Sequence, residues 1–141
     1  MVYLTRGLSF NNEMASVLVT DGDTRSALSI ARSLGRRGHR VIIGAEVPRS
    51  ISYYSKHCSE RFLYPSPSTD RGGFEEAMIE YVSNNEVDLL IPVSDLTSIP
   101  VSTRKDELAK HTTVCCPDRA MMDKAFDKHQ TLKAAQSLGV P

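Results

Sequence analysis

The sequence predicts a three-layer α/β domain on a Rossmann-like, doubly wound parallel sheet of about five strands. Short, β-branched apolar runs recur along the chain, as strands buried on both faces require. Between them lie stretches with apolar residues at i, i+3, i+4 and i+7, the stripe of a helix that covers a sheet. The first such set, beginning at Ser16, completes strand, helix and strand in about thirty residues, the length of a βαβ unit. Strands that alternate with helices pair in parallel.

Ser16–Thr20 (SVLVT) is the first strand. Asp21-Gly22-Asp23-Thr24 is a turn whose last two residues suit a helix cap. The stripe of Ala27, Leu28, Ile30, Ala31 and Leu34 predicts a helix over Arg25–Arg37, with Gly35 and Gly38 ending it. His39–Ala45 (HRVIIGA) is the second strand. Glu60–Tyr64 is the third, stopped by Pro65 and Pro67. Phe74, Ala77, Met78, Tyr81 and Val82 mark a helix over Phe74–Val82. Val87–Pro92 (VDLLIP) is the fourth strand, and its middle residue, Leu90, should lie in the core. A helix over Thr103–Lys110 follows, its start kinked or delayed by Pro100. Thr113–Cys116 is the fifth strand, and Asp118–Leu138 forms two short helices that break near Asp127.

Composition narrows the function classes. The chain has 141 residues, one domain's worth, and 17 basic residues balance 17 acidic ones. A net charge of zero argues against nucleic acid or an anionic membrane as partner. No run approaches the ~18 apolar residues of a membrane span. Met1–Ala15 is polar and irregular, with no apolar core of a secretory signal. Cys58, Cys115 and Cys116 make an odd count, and the adjacent pair in a strand-like run reads as buried thiols. A cytoplasmic protein is expected.

Ligands of open parallel sheets bind beyond the carboxyl ends of the strands. Two such ends are polar: Asp21, Gly22, Asp23, Thr24 and Arg25 after the first strand, and Ser94 and Asp95 after the fourth. The first also opens a helix, whose free amides favour an anion. Helix capping by Asp23, Thr24, Ser94 or Asp95 accounts for the same residues without a ligand. Arg25 is unusual, since a cation at a helix start opposes the helix dipole. It fits either a bidentate grip on a carboxylate or phosphate, or a local ion pair with Asp21, Asp23 or Asp95.

Other chemistries fit poorly. The first turn has one glycine, Gly22, where a dinucleotide fingerprint needs three, although Glu46 stands where an acid could hold a ribose. No P-loop occurs. A phospho-receiver would need an aspartate after the third strand and a lysine after the fifth, and Tyr64-Pro65-Ser66 and Cys116-Pro117-Asp118 stand there. His39, His57, His111 and His129 lack metal-ligand spacing, and the neighbours His57 and Cys58 would point to opposite faces of a strand. Arg36–Arg40 reads as a solvated helix end.

Several segments together resemble a known family. VLVTDGDTRSALSIARSLGRRGHRVIIGA is similar to the first strand, helix and second strand of pre-ATP-grasp domains, the N-terminal domains of ATP-grasp ligases of the carbamoyl-phosphate-synthase-like and biotin-carboxylase-like kind. VDLLIPVSD and the later TRKDELAKH resemble that domain's fourth unit. FDKHQTLKAAQSLGVP resembles its junction with the ATP-grasp domain, D-K-x-x-T followed by G-[IV]-P.

The resemblance implies residues 1–15 as an irregular lead, 16–126 as the pre-ATP-grasp domain, and 127–141 as the junction toward an ATP-grasp domain that is missing here. It implies a non-catalytic, substrate-side domain of an enzyme that activates a carboxylate with ATP and Mg²⁺ as an acyl phosphate. The carboxylate would meet Asp21, Gly22, Thr24, Arg25, Ser94 and Asp95. Lys128, the junction lysine, would approach the nucleotide, although a plain helix start at Asp127-Lys128 looks the same. Neither ATP nor Mg²⁺ is expected on this chain alone, which has no phosphate-binding glycine loop and no cluster of metal carboxylates. The alternative is a stand-alone module that binds a nucleotide or metabolite in the same crevice.

Overall fold

A computed structural model describes residues 14–139 and builds them on a five-stranded sheet. The strands are β1 (Ser16–Val19), β2 (Arg40–Ala45), β3 (Glu60–Leu63), β4 (Leu89–Ile91) and β5 (Thr113–Val114). All pair in parallel, in the order β3-β2-β1-β4-β5. Most of the 1–15 segment and the closing Val140-Pro141 lie outside the described residues.

Helices α1 (Arg25–Arg36), α2 (Arg71–Asn84), α3 (Asp95–Thr103), α4 (Lys105–Leu108), α5 (Arg119–Phe126) and α6 (Lys128–Ser137) connect or follow the strands. From the centre, β1 to β3 run one way and β4 to β5 the other, so right-handed connections fall on opposite faces. Val17, Val19, Val41 and Ile43 pack under Ala27 and Ala31 of α1 and under Tyr53 of a 3-10 helix (Ile51–Tyr54). Leu18, Ile42 and Leu90 face the other way, toward Phe74, Met78 and Val82 of α2, Val101 of α3 and Leu108 of α4. This is the expected three-layer, doubly wound arrangement. Its burial on both faces explains why SVLV and RVIIGA read as nearly unbroken apolar runs.

The sheet edges are short. On β3, Tyr53 Oη donates to the Phe62 carbonyl (3.0 Å), occupying an acceptor that another strand could use. Phe62 stacks on Tyr81 with ring centroids 4.1 Å apart, and Tyr81 Oη donates to Glu60 (2.6 Å), which also pairs with Arg40. Burial first, then the Glu60 contacts, push the Tyr81 phenol well above its ordinary range.

Four expectations are corrected. The helix after β4 begins at Asp95 rather than Thr103, with Pro100 inside it. Its buried face carries Thr97, Pro100, Val101 and Ser102, and Leu96 is exposed, so no apolar stripe announced it. The break comes at Arg104, which forms ion pairs with Glu75 and Glu76 of α2 and with Glu107 of α4. Gly35 does not end α1. It lies within the helix beneath His57, where a Cβ would come within 2.5 Å of that side chain, and the turn falls to Gly38 with φ +86°. The helix α2 starts three residues before Phe74, at Arg71, because the Asp70 carboxylate accepts from the Gly73 N–H and caps it. Finally, Cys115 is exposed and Cys116 half-buried, because β5 ends at Val114, before the pair.

Candidate functional site

The carboxyl ends of β1 and β4 are neighbours, because β1 pairs with β4 through Leu18↔Leu90 and Val19↔Ile91. The two polar loops predicted from sequence therefore meet. The residue that joins them is Asp21, which is buried and has φ +57°, the left-handed region that few side chains other than Asn and Asp tolerate.

That backbone turn sends each polar group of Asp21 to a different element. Its N–H donates to Tyr64 Oη at the end of β3 (2.9 Å). Its carbonyl accepts from the Thr24 N–H (2.9 Å) and Thr24 Oγ1 (2.8 Å) at the start of α1. Its carboxylate reaches the β4–α3 segment. Oδ1 accepts from Ser94 Oγ (2.7 Å), and Oδ2 accepts from Ser94 N–H (3.0 Å), Val93 N–H (3.2 Å) and Thr97 Oγ1 (2.6 Å). Thr20 Oγ1 donates to Oδ2 as well (2.6 Å). Burial raises the Tyr64 phenol well above its usual range, so this tyrosine stays neutral while it receives the Asp21 N–H.

The other predicted residues divide into structural and free. Gly22 is structural: its N–H donates to Gly44 O (2.9 Å) and its carbonyl accepts from the Ser52 N–H (3.0 Å). A Cβ there would come within 2.5 Å of Ile43 Cγ2 and 2.7 Å of Ser50 Oγ. We expect Gly22→Ala to cost about 1–3 kcal/mol by overpacking, read as a lower urea midpoint. An unchanged midpoint would show that the loop yields easily. Thr24 caps α1, accepting from the Ala27 N–H (3.1 Å). Ser94 precedes α3 but does not cap it with its side chain, because its hydroxyl is committed to Asp21.

Asp21, Gly22, Thr24 and Ser94, all expected to face substrate, are thus engaged in holding the loops. Arg25 and Asp95 are exposed at the starts of α1 and α3, with Asp23 exposed between Gly22 and Thr24. Among the described residues Arg25 makes no ion pair, so the local pairing with Asp21, Asp23 or Asp95 does not form.

Lys128 stands apart from these loops. It begins α6, which packs on α5 and buries none of its residues. The cap is Asp127, whose carboxylate accepts from the N–H groups of Gln130 and His129; the Gln130 contacts above all hold it below its ordinary pKa. The acid weighed for a ribose, Glu46, is exposed just beyond β2. Among the described residues no three His, Cys, Asp or Glu side chains are grouped to hold a metal ion. No helix among them is long and apolar enough to cross a membrane.

Sequence reasoning missed Thr20, Tyr64 and Thr97 as parts of the site. Thr20 read as the last strand residue and Tyr64 as a strand end. The spacing of Ser94 and Thr97 is that of a helix start and carries no hint of Asp21.

No protein-family model and no curated protein sequence matches the chain. Among solved structures, the chain is similar to the biotin carboxylase domain of a single-chain bacterial carboxylase, with a TM-score of 0.67 and 17% identity. The likeness covers 91% of this chain and 30% of that one, and at this identity it establishes the shared fold.

Proposed function

We propose that the chain is the substrate-side domain of an ATP-dependent carboxylate ligase of the ATP-grasp kind, with the acyl-phosphate chemistry carried by parts of the protein outside these residues. The observation that carries this reading is the fold likeness of nearly the entire chain to under a third of a biotin carboxylase chain. The family-like junction at Asp127-Lys128…Thr131…Gly139 supports it. ATP and Mg²⁺ would be held chiefly by the domain that follows, with Lys128 at the junction as this chain's contribution. The cytoplasm is the compartment this reading implies.

Within the crevice, Arg25 is the residue proposed to hold the substrate carboxylate. It is cationic, exposed and free of ion pairs among the described residues, at a helix start that also favours an anion. Asp95, exposed on the adjacent loop, would meet a cationic or hydroxyl part of the same substrate.

The test is ADP formation from Mg·ATP by the native protein that carries this chain, screened across carboxylates. Arg25→Ala should then lower kcat/KM for the active carboxylate tenfold or more and leave the KM for ATP alone. One charge-assisted contact is worth roughly 1.5–3 kcal/mol. Loss of stability with normal kinetics in the folded fraction would make Arg25 structural. Absence of carboxylate-dependent ADP formation would remove the ligase reading and leave a metabolite-binding module.

A further inference from the structure

We infer that Asp21 is the positioning residue of this crevice: an internal carboxylate that fills the anion position at the start of α3 and locks that segment to β1. The crevice is thereby left with one anion-accepting side, the start of α1 with Arg25. The kinetic part of this inference rests on the ligase reading, and its structural part does not.

The start of α3 is built to receive an anion. The N–H groups of Val93 and Ser94 and the hydroxyls of Ser94 and Thr97 converge on one place, and all four donate to the Asp21 carboxylate. Ser94 turns its hydroxyl to that carboxylate rather than to a first-turn amide of its own helix. The backbone at Asp21 adopts the left-handed conformation, which β-branched residues would resist, while its carboxylate lies in the donor group. Thr97 and the Asp21 carboxylate are buried and Val93 and Ser94 half-buried, and donors withdrawn from water and aimed at one acceptor are costly to leave unmade, so the contact holds the two loops as a unit. Thr24 binds the carbonyl of the same residue, so Asp21 ties the start of α1, and Arg25 with it, to the start of α3, beside the links that Thr20 makes to Thr97 and to the Val93 N–H. A second anion next to this carboxylate would be repelled, which directs a ligand carboxylate toward Arg25.

Three variants of the full chain test this. Asp21→Gly keeps the left-handed backbone at no steric cost and removes the carboxylate. Asp21→Asn keeps an acceptor in the Oδ2 position and offers Ser94 Oγ a donor to accept from. Thr97→Val removes one donor from the α3 side. Amide hydrogen exchange followed by NMR should show Val93 and Ser94 exchanging at least tenfold faster in Asp21→Gly, with Val41–Ile43 of β2 still protected. Thr97→Val should give a smaller change at the same amides, and Asp21→Asn should return most of the protection. Sodium formate should restore protection in Asp21→Gly, because it can occupy the vacated anion position, and sodium chloride at equal ionic strength should not.

In the native protein, Asp21→Gly should raise the KM for the carboxylate tenfold or more with the KM for ATP unchanged, and Asp21→Asn should recover to within about threefold. Equal exchange in wild type and Asp21→Gly, acceleration spread evenly over the sheet, or formate no better than chloride would each overturn the internal-anion assignment. Expected exchange behaviour with an unchanged carboxylate KM would overturn the positioning role. If no carboxylate supports ADP formation, the ligase reading fails by itself, and exchange with formate rescue still decides the role of Asp21.

Discussion

Leu90→Asp is expected to leave the domain unfolded at room temperature. Leu90 is fully buried in the middle of β4, paired with Leu18 on one side and Val114 on the other. Its side chain belongs to the core formed by Phe74, Met78, Val82 and Val101. A carboxylate at position 90 would therefore enter a hydrophobic core. Placing it there costs several kcal/mol, and the leucine's own burial of about 1.5–3 kcal/mol is lost as well. The sum approaches the ~5–15 kcal/mol that separates a domain of this size from its unfolded state. Far-ultraviolet circular dichroism should show loss of helix without denaturant. A thermal midpoint equal to that of the parent would contradict the central position of β4.

Phe74→Ala should cost about 3–5 kcal/mol and should disturb the crevice as well as the core. Phe74 is fully buried on α2, and its ring meets Tyr64 edge-on, with centroids 4.9 Å apart. Tyr64 in turn places its hydroxyl on the Asp21 N–H. Removing the phenyl ring leaves a cavity on one side of Tyr64, so the variant should show a large fall in urea midpoint. It should also speed exchange of the Asp21 amide beyond what global unfolding accounts for. Met78→Ala, cut from the same helix and core without touching Tyr64 in the aromatic contacts, is the matched control. Equal exchange at Asp21 in the two variants, at equal stability, would separate the core from the crevice.

Much of the fold was legible because burial leaves a periodic mark. Apolar runs located all five strands within a few residues, and the stripe of Ala27, Leu28, Ile30, Ala31 and Leu34 located α1, although Leu28 lies outside the core cluster. The misreadings have local causes. The inner face of α3 is lined by Thr97 and Ser102, which look polar in sequence yet are buried and hydrogen-bonded through Asp21 and Ile99. Gly35 resembled a helix stop because glycine usually is one; here it is a close-packing position under His57.

The site divides along the same line. Sequence alone determined that polar residues follow the first and fourth strands and that Arg25 opens a helix, because these are properties of neighbouring residues. The roles of those residues came only with the tertiary structure. Thr97 donates to Asp21 across 76 positions, and Ser94 across 73, because the sheet order sets β1 beside β4. Hydrophobic periodicity records which side of an element is buried but not which element lies next to it. Pairing of β1 with β4 made the Asp21 carboxylate an acceptor for the β4–α3 segment, and it left Arg25 and Asp95 exposed at the starts of the two helices.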